Sequence, residues 1–271
     1  MTEAEEPFFR ALTGDAGDTL RRLIFADWLD ERDDPRGEWV RLGCELDGLA
    51  ENDDRRPALE AREQQLWEQH RDTVDEWDRR FALARIKYKL ARATETKQLQ
   101  PFNPALSEDE LTAFEREHRV SLPEGYRAFL SEIGNGGPGP GEGLPSLAEA
   151  AQGAPTNDFA TPFPLSMREW AEATERAESG DTDFPQEMEY EQPGVLWVGD
   201  PWKDWERAYL VVTGEDRGMV WGMGLIDGGW GPDVRAGYED DRWEKGFRNF
   251  LTWYEDWLDA LLAAASATPS A

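Results

Sequence analysis

One cysteine, two histidines and no long apolar run are the first shortages in this 271-residue chain. Cys44 alone cannot close a disulfide within the chain, and His70 with His118 cannot build a histidine-rich zinc site. No stretch reaches the continuous apolar length that spans a bilayer. The opening "MTEAEEPFF" has neither the basic start nor the apolar run of a secretion signal. These shortages set the expectation of a cytoplasmic protein without membrane association. Basic charge is scarce too: 29 Lys and Arg stand against 57 Asp and Glu, a net charge of −28. Such a surface repels phosphate, so bare nucleic acid and anionic membrane are not the expected partners, and a basic protein is.

What is abundant is aromatic. Thirteen Trp, twelve Phe and six Tyr supply a substantial core, and the length suffices for two ordinary domains. The charge is uneven along the chain. Residues 1–106 carry 24 acidic and 17 basic side chains, whereas residues 107–271 carry 33 and 12, a balance of −21. A solvated, solubilising surface accounts for this as simply as a binding face does.

The first third reads as helical. Asp18 is placed to cap a helix whose apolar positions Leu20, Leu23, Ile24 and Trp28 recur at helical spacing. "DDPRGE" then breaks it, a second helix carries Trp39, Val40 and Leu42, and a third pattern runs from Pro57 to Arg92. The expected layout is a helical domain over 1–50, a helical extension and linker over 51–100, a larger domain over 101–265 and a disordered tail at 266–271.

The larger domain opens with a capping box, Ser107 and Glu110, and a hydrophobic staple, Leu106 and Leu111. Leu111, Phe114 and His118 share a helix face. In "LPEGYRAFLSEIGNGG" Pro123 suits the first helical position, and Tyr126, Phe129, Leu130 and Ile133 form an apolar stripe. Gly134 suits a left-handed helix stop, and Asn135, Gly136 and Gly137 a turn with positive φ. "PGPGEGLPSL" reads as loop, and "SMREWAEATERA" as a short helix before an acidic loop. "VLWVGD", "RAYLVVTGE" and "GMVWGM" then read as an antiparallel meander, and a closing helix buries Phe247, Phe250, Leu251, Tyr254, Trp257, Leu258 and Leu261. The fold class is α+β.

Chemistry is hard to find. The glycines of the Gly-rich turn close a helix instead of opening one and no lysine follows, so a phosphate loop is not expected. Cys44 lies in the apolar register of its helix, the setting of a buried thiol and not of a nucleophile. Acid pairs abound, but an acid-rich chain offers such pairs by chance, and "DERDDPRGEWVR" has Pro35 where a calcium loop requires Gly. No catalytic residue, cofactor or metal is expected. The aromatics between strands say more. "GDPWKDWERAY" sets Trp202 and Trp205 among Asp200, Asp204 and Glu206, and "IDGGWGPDVRAGYEDD" adds Trp230 and Tyr238. Core packing explains any one of them, but rigid rings among carboxylates on loops at one side of a sheet would anchor and steer a basic protein.

Two resemblances organise these observations. "LRRLIFADWLDERDDPRGEWVRLGCEL", continued by "REQQLWEQHRDTVDEW", resembles the bacterial repeat-companion domain over residues 1–78, which implies a module and no activity. Residues 106–262 resemble the SUKH superfamily, also called the Smi1/Knr4 family. The residues that carry this are Leu122, Pro123, Tyr126, Phe129, Leu130, Asn135 and Gly136, with "YLVVTGEDRGMVW" and "FLTWYEDWLD" similar to a later strand pair and closing helix. "KDWER" stands where many members carry Gly-Cys-Gly. The resemblance implies an antiparallel sheet flanked by helices in a non-enzymatic binding domain. It is used widely as an immunity protein against a polymorphic toxin and, in fungal members, as a regulatory adaptor. The oligomeric state stays open.

Overall fold

The Asp-Pro-Arg-Gly turn organises the N-terminal helices of this computed structural model, which describes residues 4–5, 7–8, 11–12, 19–50, 52–96, 99–164, 166, 192–199, 206–226, 229–231 and 247–266, with backbone alone at 71–74, 96, 206–207, 221–226, 229–231, 247–248 and 266. Asp18 and the "SMREWAEATERA" helix, apart from Ser166, lie outside these residues. The chain divides into two compact units, Met1–Ala91 and Arg92–Ala271.

In the first unit, α1 (Thr19–Asp30) and α2 (Arg36–Asp47) form a hairpin. Pro35 disfavours helix at the residue before it and Asp33 takes φ +54°, so α1 cannot run on. Arg36 then clamps the turn: its guanidinium donates to both Asp34 oxygens (2.9 and 2.6 Å) and to Glu5 Oε1 (2.6 Å). Gly37 makes room for the Asp30 carboxylate, since a Cβ there would lie 2.0 Å from Asp30 Oδ1 and 3.0 Å from the Ala26 carbonyl oxygen. Asp30 is itself held by Arg41, which also pairs with Asp27.

The long helix α3 (Arg56–Thr96) is interrupted at His70, whose φ of −129° and ψ of 23° are not helical. Trp67 Nε1 donates to Asp75 Oδ1 across that break, at 2.9 Å. Phe25, Ala26, Leu29, Val40, Cys44 and Phe81 make the core, with stacked rings running Trp28, Phe25, Trp77, Phe81 at centroid spacings of 6.0, 5.9 and 5.3 Å. This corrects the sequence reading of α1. Leu20 and Ile24 are 68% and 50% exposed, because the helix turns Phe25, Ala26 and Leu29 to its partner instead.

In the second unit, α4 (Glu108–His118) starts on the expected capping box: Ser107 Oγ accepts from the Glu110 amide, and Glu110 Oε2 accepts from the Ser107 amide at 2.8 Å. Next, α5 (Glu124–Glu132) has Pro123 as its N-cap and starts one residue later than the sequence suggested, with the Pro123 carbonyl accepting the Arg127 amide at 2.9 Å. Gly134 does not take positive φ. It is glycine because a Cβ would lie 2.7 Å from Phe102 Cβ. Gly136 and Gly137 do turn left-handed, at φ +83° and +138°. Starting at the last residue of the stretch expected as loop, α6 (Leu147–Gln152) forms on a second capping box, Ser146 and Glu149.

The five-stranded antiparallel sheet joins β1 (Val195–Gly199), β2 (Glu206–Val211), β3 (Met219–Ile226), β4 (Gly229–Gly231) and β5 (Phe247–Asn249). β2 runs between β1 and β3, and the far edge of β3 is shared, with β4 against Gly224–Ile226 and β5 against Met219–Trp221. Phe247 thus lies in a strand and not in the closing helix, α7, which spans Phe250–Ser266. Phe250, Tyr254 and Leu258 of α7 are buried, as is Trp253, which the sequence reading passed over; Trp257 and Leu261 are half-buried. Phe129 packs edge-on against Phe250 and Tyr254 (5.3 and 4.8 Å), joining α5 to α7.

Candidate partner-binding surface

Strand register decides which connections share a side of the sheet. β1 ends and β2 begins at one end of it, and the same end holds the finish of β3 and the start of β4. Glu206 pairs with Gly224, which on its other side pairs with Gly231, and the preceding residue, Trp230, pairs with Leu225. The Glu206 and Gly231 backbones are therefore two strand spacings apart, about 10 Å. Glu206 and Trp230 are the two contact candidates whose backbone is described, and both belong to this end. Asp200, Trp202, Asp204, Trp205 and Tyr238 lie outside the described residues.

One register line was not legible in the sequence. Trp197, Tyr209, Trp221 and Phe247 are consecutive partners across β1, β2, β3 and β5. Tyr209 is 4% exposed, and Trp197 lies against Gly153, where a Cβ would be 2.5 Å from the indole. Strand alternation could have suggested each aromatic, but only the pairing aligns them.

The motif residues are scaffold. Leu122, Tyr126, Phe129 and Leu130 are at most 3% exposed. Asn135 Oδ1 accepts the Leu147 amide at 2.7 Å, so this side chain holds the first turn of α6. Gly136 leaves no room for a Cβ, which would meet the Pro145 carbonyl at 2.6 Å. Burial pushes both Tyr126 and Tyr254 hydroxyls to a higher pKa, but among the described residues only Tyr254 finds a hydrogen-bond partner. Tyr254 donates to the Pro138 carbonyl at 2.8 Å, while among the described residues nothing bonds to the Tyr126 hydroxyl.

The electrostatics favour a persistently negative surface. Glu108 is held below its usual pKa by the Arg127 hydrogen bond, Glu110 by the Ser107 amide and hydroxyl, Glu149 by Ser146, and Asp158 by Thr161. Two of the few cations of this unit are occupied in the scaffold. Arg127 bridges Glu108 and Glu115, and Arg217 donates to the Ser121 and Leu122 carbonyls.

Reactive chemistry is poorly served. Burial raises the Cys44 thiol, the opposite of nucleophile activation. His118 lies tilted against Phe114 and meets Phe159 edge-on, at 4.3 and 5.1 Å. Among the described residues no group of three His, Cys, Asp or Glu could hold a metal ion, and no helix is long and apolar enough to cross a membrane. The space where Tyr126, Phe129, Leu130, Leu144 and Val198 converge is too small for a water molecule.

Residues 105–256 match the model of the SMI1 / KNR4 family (SUKH-1). No curated protein and no solved structure matches the chain.

Proposed function

The chain belongs to the SMI1/KNR4 family (SUKH-1), which includes immunity proteins and Smi1/Knr4 regulators, and from that premise we propose that it is a non-enzymatic immunity protein that occludes a basic toxin. The observation that carries this reading is the concentration of charge: 33 acidic against 12 basic side chains in residues 107–271. A toxin of the nuclease or deaminase type binds a phosphate-bearing substrate in a basic groove, and carboxylates held ionised can occupy that groove in its place. The proposed contacts are Asp200, Trp202, Asp204, Trp205, Glu206, Trp230 and Tyr238: rings as anchors, acids as steering charges. Capture of a basic effector domain from a lysate of the source organism, lost as salt rises, is the expected result. Alanine at all seven positions that leaves binding intact in a folded protein overturns the assignment of the surface.

A second reading, a regulatory or scaffolding adaptor, is favoured by the separate N-terminal unit with its own aromatic core. Here the repeat-companion-like module docks one partner and the SUKH domain another. Salt-insensitive binding of signalling or housekeeping proteins, retained by residues 1–100 alone, supports it over immunity.

A further inference from the structure

The dipeptide Asn135–Gly136 combines an amide side chain with a following residue that has no side chain to hinder attack by its nitrogen. In an unfolded chain that pairing favours closure of a five-membered succinimide. Both identities are dictated here by the fold. Asn135 caps α6 through Oδ1, and Gly136 takes φ +83° against the Pro145 carbonyl. A chemically labile pair therefore sits where three segments are tied together.

The ties are specific. Asn103 grips the turn three times: its carbonyl accepts the Asn135 amide (3.3 Å), its Nδ2 donates to the Asn135 carbonyl (2.9 Å), and its amide donates to the Gly136 carbonyl (3.1 Å). Leu147 holds the Asn135 side chain from the other side, at 2.7 Å. The Gly136 amide itself has no acceptor among the described residues, so the attacking nitrogen is restrained by geometry and not by a bond of its own.

We infer that Asn135–Gly136 is a latent modification site that the native turn holds closed and that opens when this turn comes apart. The Gly136 nitrogen loses its proton to base and bonds to Asn135 Cγ, the Cγ–Nδ2 bond breaks, and ammonia leaves. Water then opens the succinimide at either carbonyl, giving Asp or isoaspartate at position 135. Ring closure swings Cγ onto the Gly136 nitrogen and away from the Leu147 amide, so the capping bond is lost before product forms. Isoaspartate adds a methylene to the main chain inside the Asn103 grip and makes the opening irreversible. Aspartate keeps an oxygen for the Leu147 amide and is tolerated.

The test is peptide mapping of the full chain, incubated at mildly alkaline pH in native buffer and in concentrated urea, with Asp and isoaspartate at 135 quantified by mass spectrometry. Conversion in urea is expected to exceed native conversion by at least ~10-fold, a local opening of about 1.4 kcal/mol or more. Asn103→Ala is expected to speed native conversion, whereas Ser107→Ala, which loosens α4 and leaves the grip intact, is not. Equal native and urea rates overturn the inference, as does a chain that stays unconverted in urea. Equal effects of Asn103→Ala and Ser107→Ala overturn it too, since they would mean that general destabilisation controls the reaction.

Discussion

Removing one oxygen from Tyr126 is expected to make the protein more stable, and removing the matching oxygen from Tyr254 is expected to make it less stable. Both rings are buried in one cluster against Phe250, at 3% and 0% exposure, so the two substitutions to Phe differ chiefly in what the hydroxyl was doing. The Tyr126 hydroxyl pays desolvation with no bond in return among the described residues. An unsatisfied buried hydroxyl costs about 1–3 kcal/mol, and the small void left by Tyr126→Phe offsets part of this, so a gain of about 0.5–1.5 kcal/mol is expected. Tyr254→Phe deletes a 2.8 Å bond and leaves the buried Pro138 carbonyl without its donor, for a loss of about 1–3 kcal/mol. Because the chain has two units, the readout must report the second alone. Hydrogen-exchange protection of the α7 amides, taken with urea midpoints at constant m-value, does so. A loss of more than about 1 kcal/mol in Tyr126→Phe would refute the argument and show that the hydroxyl has a partner in the working protein.

Other expectations follow from the same structure. Ser107→Ala and Ser146→Ala each break a reciprocal capping box and should cost about 1 kcal/mol by chemical denaturation, with Ser→Gly costing less. Arg36→Ala removes the charge-assisted bonds to Asp34 and to the nearly buried Glu5 and should destabilise the first unit by about 1.5–3 kcal/mol, visible as an early loss of Trp fluorescence. Burial raises the Asp34 pKa, but the bonds and charge of Arg36 outweigh it and leave the folded value depressed. Its contribution is thus complete above the ordinary carboxylate value of about 3.9 and lost as pH falls through the lower folded value, a titration that acid unfolding of Asp34→Asn should lack. Leu20→Gln with Ile24→Gln should shift stability by less than about 0.5 kcal/mol each, whereas Leu29→Ala should cost about 2–5 kcal/mol.

Local rules carried the sequence reading furthest where a signal is completed within a few residues. Ser107 with Glu110, and the spacing of Tyr126, Phe129 and Leu130, depend on neighbours along the chain and came out as expected. Ser146 with Glu149 carried the same signature and was overlooked beneath the surrounding Gly and Pro. The α1 stripe was ambiguous because apolar residues occur on more than one side of that helix, and only the partner decides between Leu20 with Ile24 and Phe25 with Leu29. β5 was invisible for a deeper reason. Phe247–Asn249 continues the helical pattern of α7, and it is a strand only because β3 offers an unfilled edge. The contact candidates were legible only as composition between strands, and register brings Glu206 and Trp230 to one end of the sheet.

The shared far edge of β3 has an evolutionary consequence. Gly231 and Phe247 are anchored opposite Gly224 and Trp221, about 10 Å apart along one strand, with fifteen residues between them in sequence. Both anchors are pairings with β3 and neither depends on what joins them. Doubling the joining length adds only about 0.6 kcal/mol of closure entropy. Insertions and deletions between those anchors can therefore rewrite what this edge of the sheet presents while the hydrogen-bonded frame stays the same, so new specificities can arise here through changes of length as well as single substitutions.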